Sequence, residues 1–144
     1  MSTHQTSAEN FLGEAFKLGS EARDFLSHYD NNRATEFSQR RIEFSVKAVL
    51  LVARTKFPYT HDPASDLRKV ESLPEWFRRK IPRIELWSRL LADARAFAIY
   101  GDVGLGVPPR EIIDRKLAEA AVDAASEIYD DCLRLANELR KASS

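Results

Sequence analysis

The chain has 144 residues, and its 22 lysines and arginines against 22 aspartates and glutamates leave no formal net charge at neutral pH. A composition 44% hydrophobic and 31% charged supplies one sizeable core and one solvated face, which excludes a disordered chain and points to a single domain. Neutrality also weighs against a uniformly basic nucleic-acid surface, though not against a local cationic patch.

Residues 1–7 are polar, lack the apolar core of a secretory leader and read as a flexible tail ahead of one domain over residues 8–142. Phe11, Ala15, Leu18, Ala22, Phe25 and Tyr29 then alternate steps of four and three, the spacing of one helical stripe. A first helix is predicted over residues 7–29, with Ser7 as its N-cap. Asp30, Asn31 and Asn32 compete for backbone hydrogen bonds and predict a turn. A second helix is expected over residues 34–56. Its stretch of Val46 and residues 48–53 is apolar on nearly every side, which places it at the centre of a helical core.

Pro58 ends that pattern, and residues 60–73 read as an irregular link with one brief helix. Asp62 is its expected cap, with Pro63 at the first helical position, where a missing N–H costs nothing. Pro74 and Pro82 bracket a turn or short helix that sets Trp76 and Phe77 as packing wedges. Ile84, Trp87, Leu90, Leu91, Ala94, Phe97 and Ala98 mark the next helix, ending near Tyr100 before Gly101, Gly104 and Gly106. Pro108 and Pro109 introduce a long last helix over residues 110–140, striped by Ile113, Leu117, Ala121, Ala124, Ile128, Cys132, Leu135 and Leu139. No segment alternates long enough to form a strand. The expected fold is all-α: an antiparallel, up-and-down four-helix bundle with one or two extra short helices.

The single cysteine, Cys132, cannot close an intrachain disulfide, and with three scattered histidines it offers no zinc framework. No metal or cofactor is expected, and the expected address is cytoplasmic. No apolar run reaches the length of a membrane span. Phosphate-binding glycine loops, His-Glu-x-x-His and Gly-x-Ser-x-Gly are absent, and the scattered carboxylates form no pair suited to hydrolysis.

Chemistry concentrates in three places. Arg95 falls at the edge of the apolar face that contains Trp87, Leu91 and Ala98. From there its fork of donors can enter an interhelical groove and take a phosphate, a carboxylate or an RNA backbone, or be spent on a structural carboxylate such as Asp93 or Asp102. Tyr100 and Asp102, at the end of that helix, either line the mouth of the same groove or cover the bundle end and the turn. His61 is a second candidate, able to serve acid/base chemistry or to hold a neighbour. The run Arg78, Arg79, Lys80 and Arg83 beside Trp76 and Phe77 has the mixture that binds single-stranded nucleic acid, and equally that of a solvated face. His28, at the end of the first helix, suits the negative end of its dipole.

Four passages together resemble the HEPN family of small all-helical domains from prokaryotic defence and toxin–antitoxin systems. They are residues 41–51, His61-Asp62 with Asp66-Leu67, the arginine-bearing residues 95–102 with their Tyr-Gly-Asp ending, and the alanine-rich last helix with Ala121, Ala124 and Ala125. The resemblance covers about residues 8–140. It implies a homodimer, and active members resemble metal-independent ribonucleases in which an arginine is followed four to six residues later by a histidine. Arg95 matches the arginine, but Tyr100 stands where the histidine is expected, and no histidine follows His61. A tyrosine with an ordinary pKa near 10 is a poor general base at pH 7. The expectation is therefore nucleotide or RNA binding without standard cleavage by Arg95, Tyr100, Asp102, His61, Arg78, Arg79 and Lys80, beside a nucleotidyltransferase partner in a two-component module. The alternatives are a metal-independent ribonuclease using Arg95 with His61 or Tyr100, and an antitoxin-like interaction bundle.

Overall fold

The computed structural model describes residues 3–53, 62–100, 106 and 113–143, and among these the side chains of 6–53, 62–95, 106 and 113–142. Helix α1 covers Thr3–Ser27, so regular backbone begins inside the segment expected to be a tail. The reason is Ala8, which is fully buried against α2 and α5 and holds the turn that precedes it. Ala8, Ala15 and Ala22 recur every seven residues and are all buried, letting neighbouring backbones come close. The helix closes when Asp30 N donates to Phe25 O at 2.9 Å and Tyr29 N donates to Leu26 O at 3.1 Å. Tyr29 thereby takes the left-handed φ of 60° and leaves the stripe it was expected to complete. Its exposed ring packs under the Arg115 guanidinium, 4.7 Å from ring centroid to Cζ.

Helix α2 covers Asn31–Val52. Asp30, expected to form a turn, is its N-cap: the carboxylate accepts from Arg33 N at 3.1 Å. Packed against α1, α5 and α4 in turn, α2 is the central helix, as its all-round apolar stretch predicts. Residues 54–61 of the expected second helix and link lie outside the described residues. A 3₁₀ helix over Ala64–Lys69 follows, and it has no side-chain cap. Asp62, the expected cap, instead accepts from Ser88 Oγ at 2.6 Å, because Ser88 is buried on the next long helix and needs an acceptor.

Helix α3, Glu75–Arg78, drives Phe77 fully into the core and leaves Trp76 half-buried. Helix α4, Ile81–Tyr100, commits Ile81, Ile84 and Leu91 to that core. Leu90, expected on its buried stripe, is 42% exposed and Leu86 is 65% exposed. The stripe is narrow because α2 and the 3₁₀ helix are the main elements against α4. Helix α5, Arg115–Ser143, starts later than the expected residue 110 because Asp114 caps it, accepting from Leu117 N at 2.8 Å. The proline pair expected to introduce it lies outside the described residues. Ala121, Ala125, Ile128, Cys132 and Leu135 face α2 and α4, while Tyr129 and Ala136 face α1. The result is an all-α bundle of five helices, four of them long, with no strand among the described residues.

Candidate functional site

The polar side chains that α2 carries into the bundle are placed by its period. Gln39, Glu43 and Lys47 recur every four residues and so stack along one face, and all three are buried. Lys47 Nζ donates to Glu43 Oε2 at 2.8 Å, with the two side chains 9% and 6% exposed. Gln39 Nε2 donates to the other carboxylate oxygen, Glu43 Oε1, at 3.4 Å. The amide oxygen of Gln39 then accepts from Arg95 Nη1 at 3.3 Å, across from α2 to α4. A row of Lys47, Glu43, Gln39 and Arg95 thus runs from a buried ion pair to a half-buried guanidinium. Burying the pair away from water strengthens its mutual attraction, and Gln39 links it to the Arg95 guanidinium.

Arg95 is the sequence-predicted residue that this arrangement uses. Tyr100 ends α4, its side chain outside the described part, and His61 and Asp102 lie outside the described residues altogether. The sequence does not mark the row as a site, although Gln39, Glu43 and Lys47 share one face by spacing alone. The signal is three polar residues at successive four-residue steps that reach into the apolar half of the helix.

The cationic run is placed elsewhere. Arg95 lies fourteen positions beyond Ile81, the first residue of α4, which at a helix's rise separates it from the α3 end by about 21 Å. Arg78 donates from Nε to Leu73 O at 3.1 Å and from Nη2 to Glu71 O at 2.6 Å, closing the loop before α3. Arg79 pairs with Glu75 at 3.3 Å. Lys80 Nζ donates to Asp131 Oδ1 on α5 at 2.8 Å, and Arg83 pairs with Glu127. Trp76 is held too: its Nε1 donates to Glu138 at 3.2 Å and Arg134 stacks on its face at 3.9 Å. These groups stitch α3 and the start of α4 to α5. His28 Nδ1 lies 2.7 Å from Asp24 O at the end of α1, the dipole-end position expected of it.

Among the described residues no three His, Cys, Asp or Glu side chains gather as metal ligands, and no helix is long and apolar enough to cross a membrane. Cys132 is fully buried, and burial with Asp131 alongside pushes its thiol far up, so it is no nucleophile in the folded chain. The sequence model of the HEPN domain matches residues 8–136, which includes α2 with its polar row and the whole of α4. The chain belongs to the HEPN family. No curated protein and no solved structure matches it. In this HEPN domain the family resemblance at residues 41–51 coincides with Glu43 and Lys47, two members of the buried row.

Proposed function

We propose that this HEPN domain binds a nucleotide or RNA in the groove between α2 and α4, with Arg95 as the phosphate-contacting cation, and that it does so without standard ribonuclease chemistry. The observation that carries this reading is the half-buried Arg95 guanidinium held by Gln39, itself braced by the buried Glu43–Lys47 pair. A guanidinium fixed in direction before the ligand arrives loses less freedom on binding and recognises a planar oxyanion edge. Tyr100, Asp102 and His61 are the other ligand-binding residues in this reading, while Arg78, Arg79 and Lys80 act as structural ties. The setting is a cytoplasmic two-component module of toxin–antitoxin or defence type with a nucleotidyltransferase partner.

Titration of short single-stranded RNAs and nucleotides against the chain and Arg95→Ala tests the site. Loss of a charge-assisted contact predicts affinity at least about tenfold weaker in the variant. Equal affinity would remove Arg95 from the site. Incubating the metal-free protein with several RNAs is expected to leave them intact, and specific cleavage abolished by Arg95→Ala would overturn the non-catalytic part of the proposal.

HEPN domains commonly dimerise. Leu86 and Leu90, four residues apart and both exposed on α4, support a homodimer here. Sedimentation at several concentrations is expected to show a dimer that Leu86→Arg dissociates.

A further inference from the structure

Arg41 lies on the side of α2 away from the polar row, about 160–200° around the helix from Gln39 and Glu43. It is 4% exposed. Its Nε donates to Ala15 O at 3.0 Å, and its Cζ lies 4.5 Å from the Tyr129 ring centroid. Those contacts engage one of the five N–H donors that a guanidinium carries. Among the described residues Arg41 has no carboxylate within ion-pair distance, and its Nη1 and Nη2, at the seam between α1 and α5, have no hydrogen-bond partner. A cation this deeply placed is ordinarily paired.

The surroundings are shaped around that guanidinium. Gly19 of α1 is buried, and a Cβ there would overlap Arg41 Cζ and crowd Nη1 and Nε, so bare helix backbone forms one wall of the cradle. Arg23, one turn further along α1, is exposed and makes no ion pair among the described residues. Burial first, and then the charge of Arg23, pull the Arg41 pKa down from its ordinary value. Burial raises the pKa of Tyr129, and its hydroxyl stays a donor with no acceptor among the described residues. Asp130 is the acidic group nearest in effect, and it offsets part of the positive field without contacting Arg41.

We propose that Arg41 and Arg23, with the Tyr129 hydroxyl, form a phosphate-binding site at the α1–α5 seam that takes inorganic phosphate or a phosphate monoester. Two arginines on adjacent helices supply more donors and charge than a single carboxylate uses, whereas a phosphate dianion has three oxygens to accept them. The site is separate from the Arg95 groove and stands or falls independently of it.

Calorimetric titration of the full chain carrying Arg95→Ala, which silences the groove, tests the site with inorganic phosphate and AMP as probes. Adenosine and chloride at matched ionic strength are the controls. Saturable phosphate binding is expected, about tenfold weaker in Arg23→Gln, a surface change, and absent in Arg41→Met. Tighter binding of AMP than of phosphate, with adenosine silent, assigns a monoester as ligand, and equal binding assigns the free anion. Absence of phosphate binding to the parent chain overturns the proposal, as does affinity unchanged by both Arg23→Gln and Arg41→Met. Should Arg41→Met not fold, Arg23→Gln and Tyr129→Phe decide, and unchanged affinity in both overturns the site.

Discussion

At Gly19 a hydrogen stands where any other residue would press a carbon against the Arg41 guanidinium. Exchanging a mid-helix glycine for alanine ordinarily gains about 1 kcal/mol of helix propensity. Here Gly19→Ala is expected to lower stability in urea denaturation, because Arg41 must leave its place on Ala15 O and Tyr129. In an Arg41→Ala background the same change should stabilise by about 0.5–1 kcal/mol. Thr35 presents the reverse situation: fully buried, its hydroxyl has no hydrogen-bond partner, whereas Ser38 and Ser45 donate back to Ala34 O and Arg41 O at 2.7 Å each. Thr35→Val removes the unpaired group at nearly constant shape and should raise stability by about 1 kcal/mol. Cys132 gives a pH signature. Its thiol pKa is raised by burial, so the unfolded chain loses that proton first, and stability falls as pH climbs past the ordinary thiol value of roughly 8.5. Between there and the folded value the Cys132 contribution declines by about 1.4 kcal/mol per pH unit. Urea denaturation across pH 8–10 should show that extra slope in the parent chain and not in Cys132→Ala.

Helix α2 presents a more costly choice than its neighbours, since it buries the charged pair Glu43 and Lys47 beside core positions such as Ile42, Val46 and Leu50. Removing one partner of such a pair strands a charge, so Lys47→Met should cost about 3 kcal/mol or more, and adding Glu43→Met should recover most of it. Additive losses in that double-variant cycle would contradict the coupling. The periodicity that identifies α2 also puts Gln39, Glu43 and Lys47 on one face, yet four-residue spacing of opposite charges describes an exposed ion pair equally well. Only the packing of other helices around α2, with Arg95 of α4 reaching Gln39, makes the row interior. Helix ends were the less legible part for a related reason. Asp30 and Asp114 cap α2 and α5, while Asp62 turns to buried Ser88, a distinction that depends on which donors lack another acceptor.

For the molecule as a whole, the consequence of the bundle is separation. Arg95 sits well along α4, and Lys80 and Arg83 are tied down at its other end, against α5. RNA affinity should therefore respond to Arg95→Ala and stay within about twofold for Lys80→Ala, whose exposed pair carries little energy. Equal losses in filter binding would mean one continuous surface instead. Leu86 and Leu90 show a parallel limit: their apolar character fits a helical stripe, but the fold leaves them outside the core and available to a second copy.

The order of helices, the central place of α2, the burial of Phe77 and the family likeness were fixed by features local in the chain: period, turn chemistry and residue type. These survive folding because each long apolar stripe has one economical way to be covered, against another stripe. Tertiary structure alone decided which polar groups became partners. Gln39 meeting Arg95, Asp62 meeting Ser88 and Gly19 making room for Arg41 join residues far apart in the chain, and only the approach of one helix to another sets those distances.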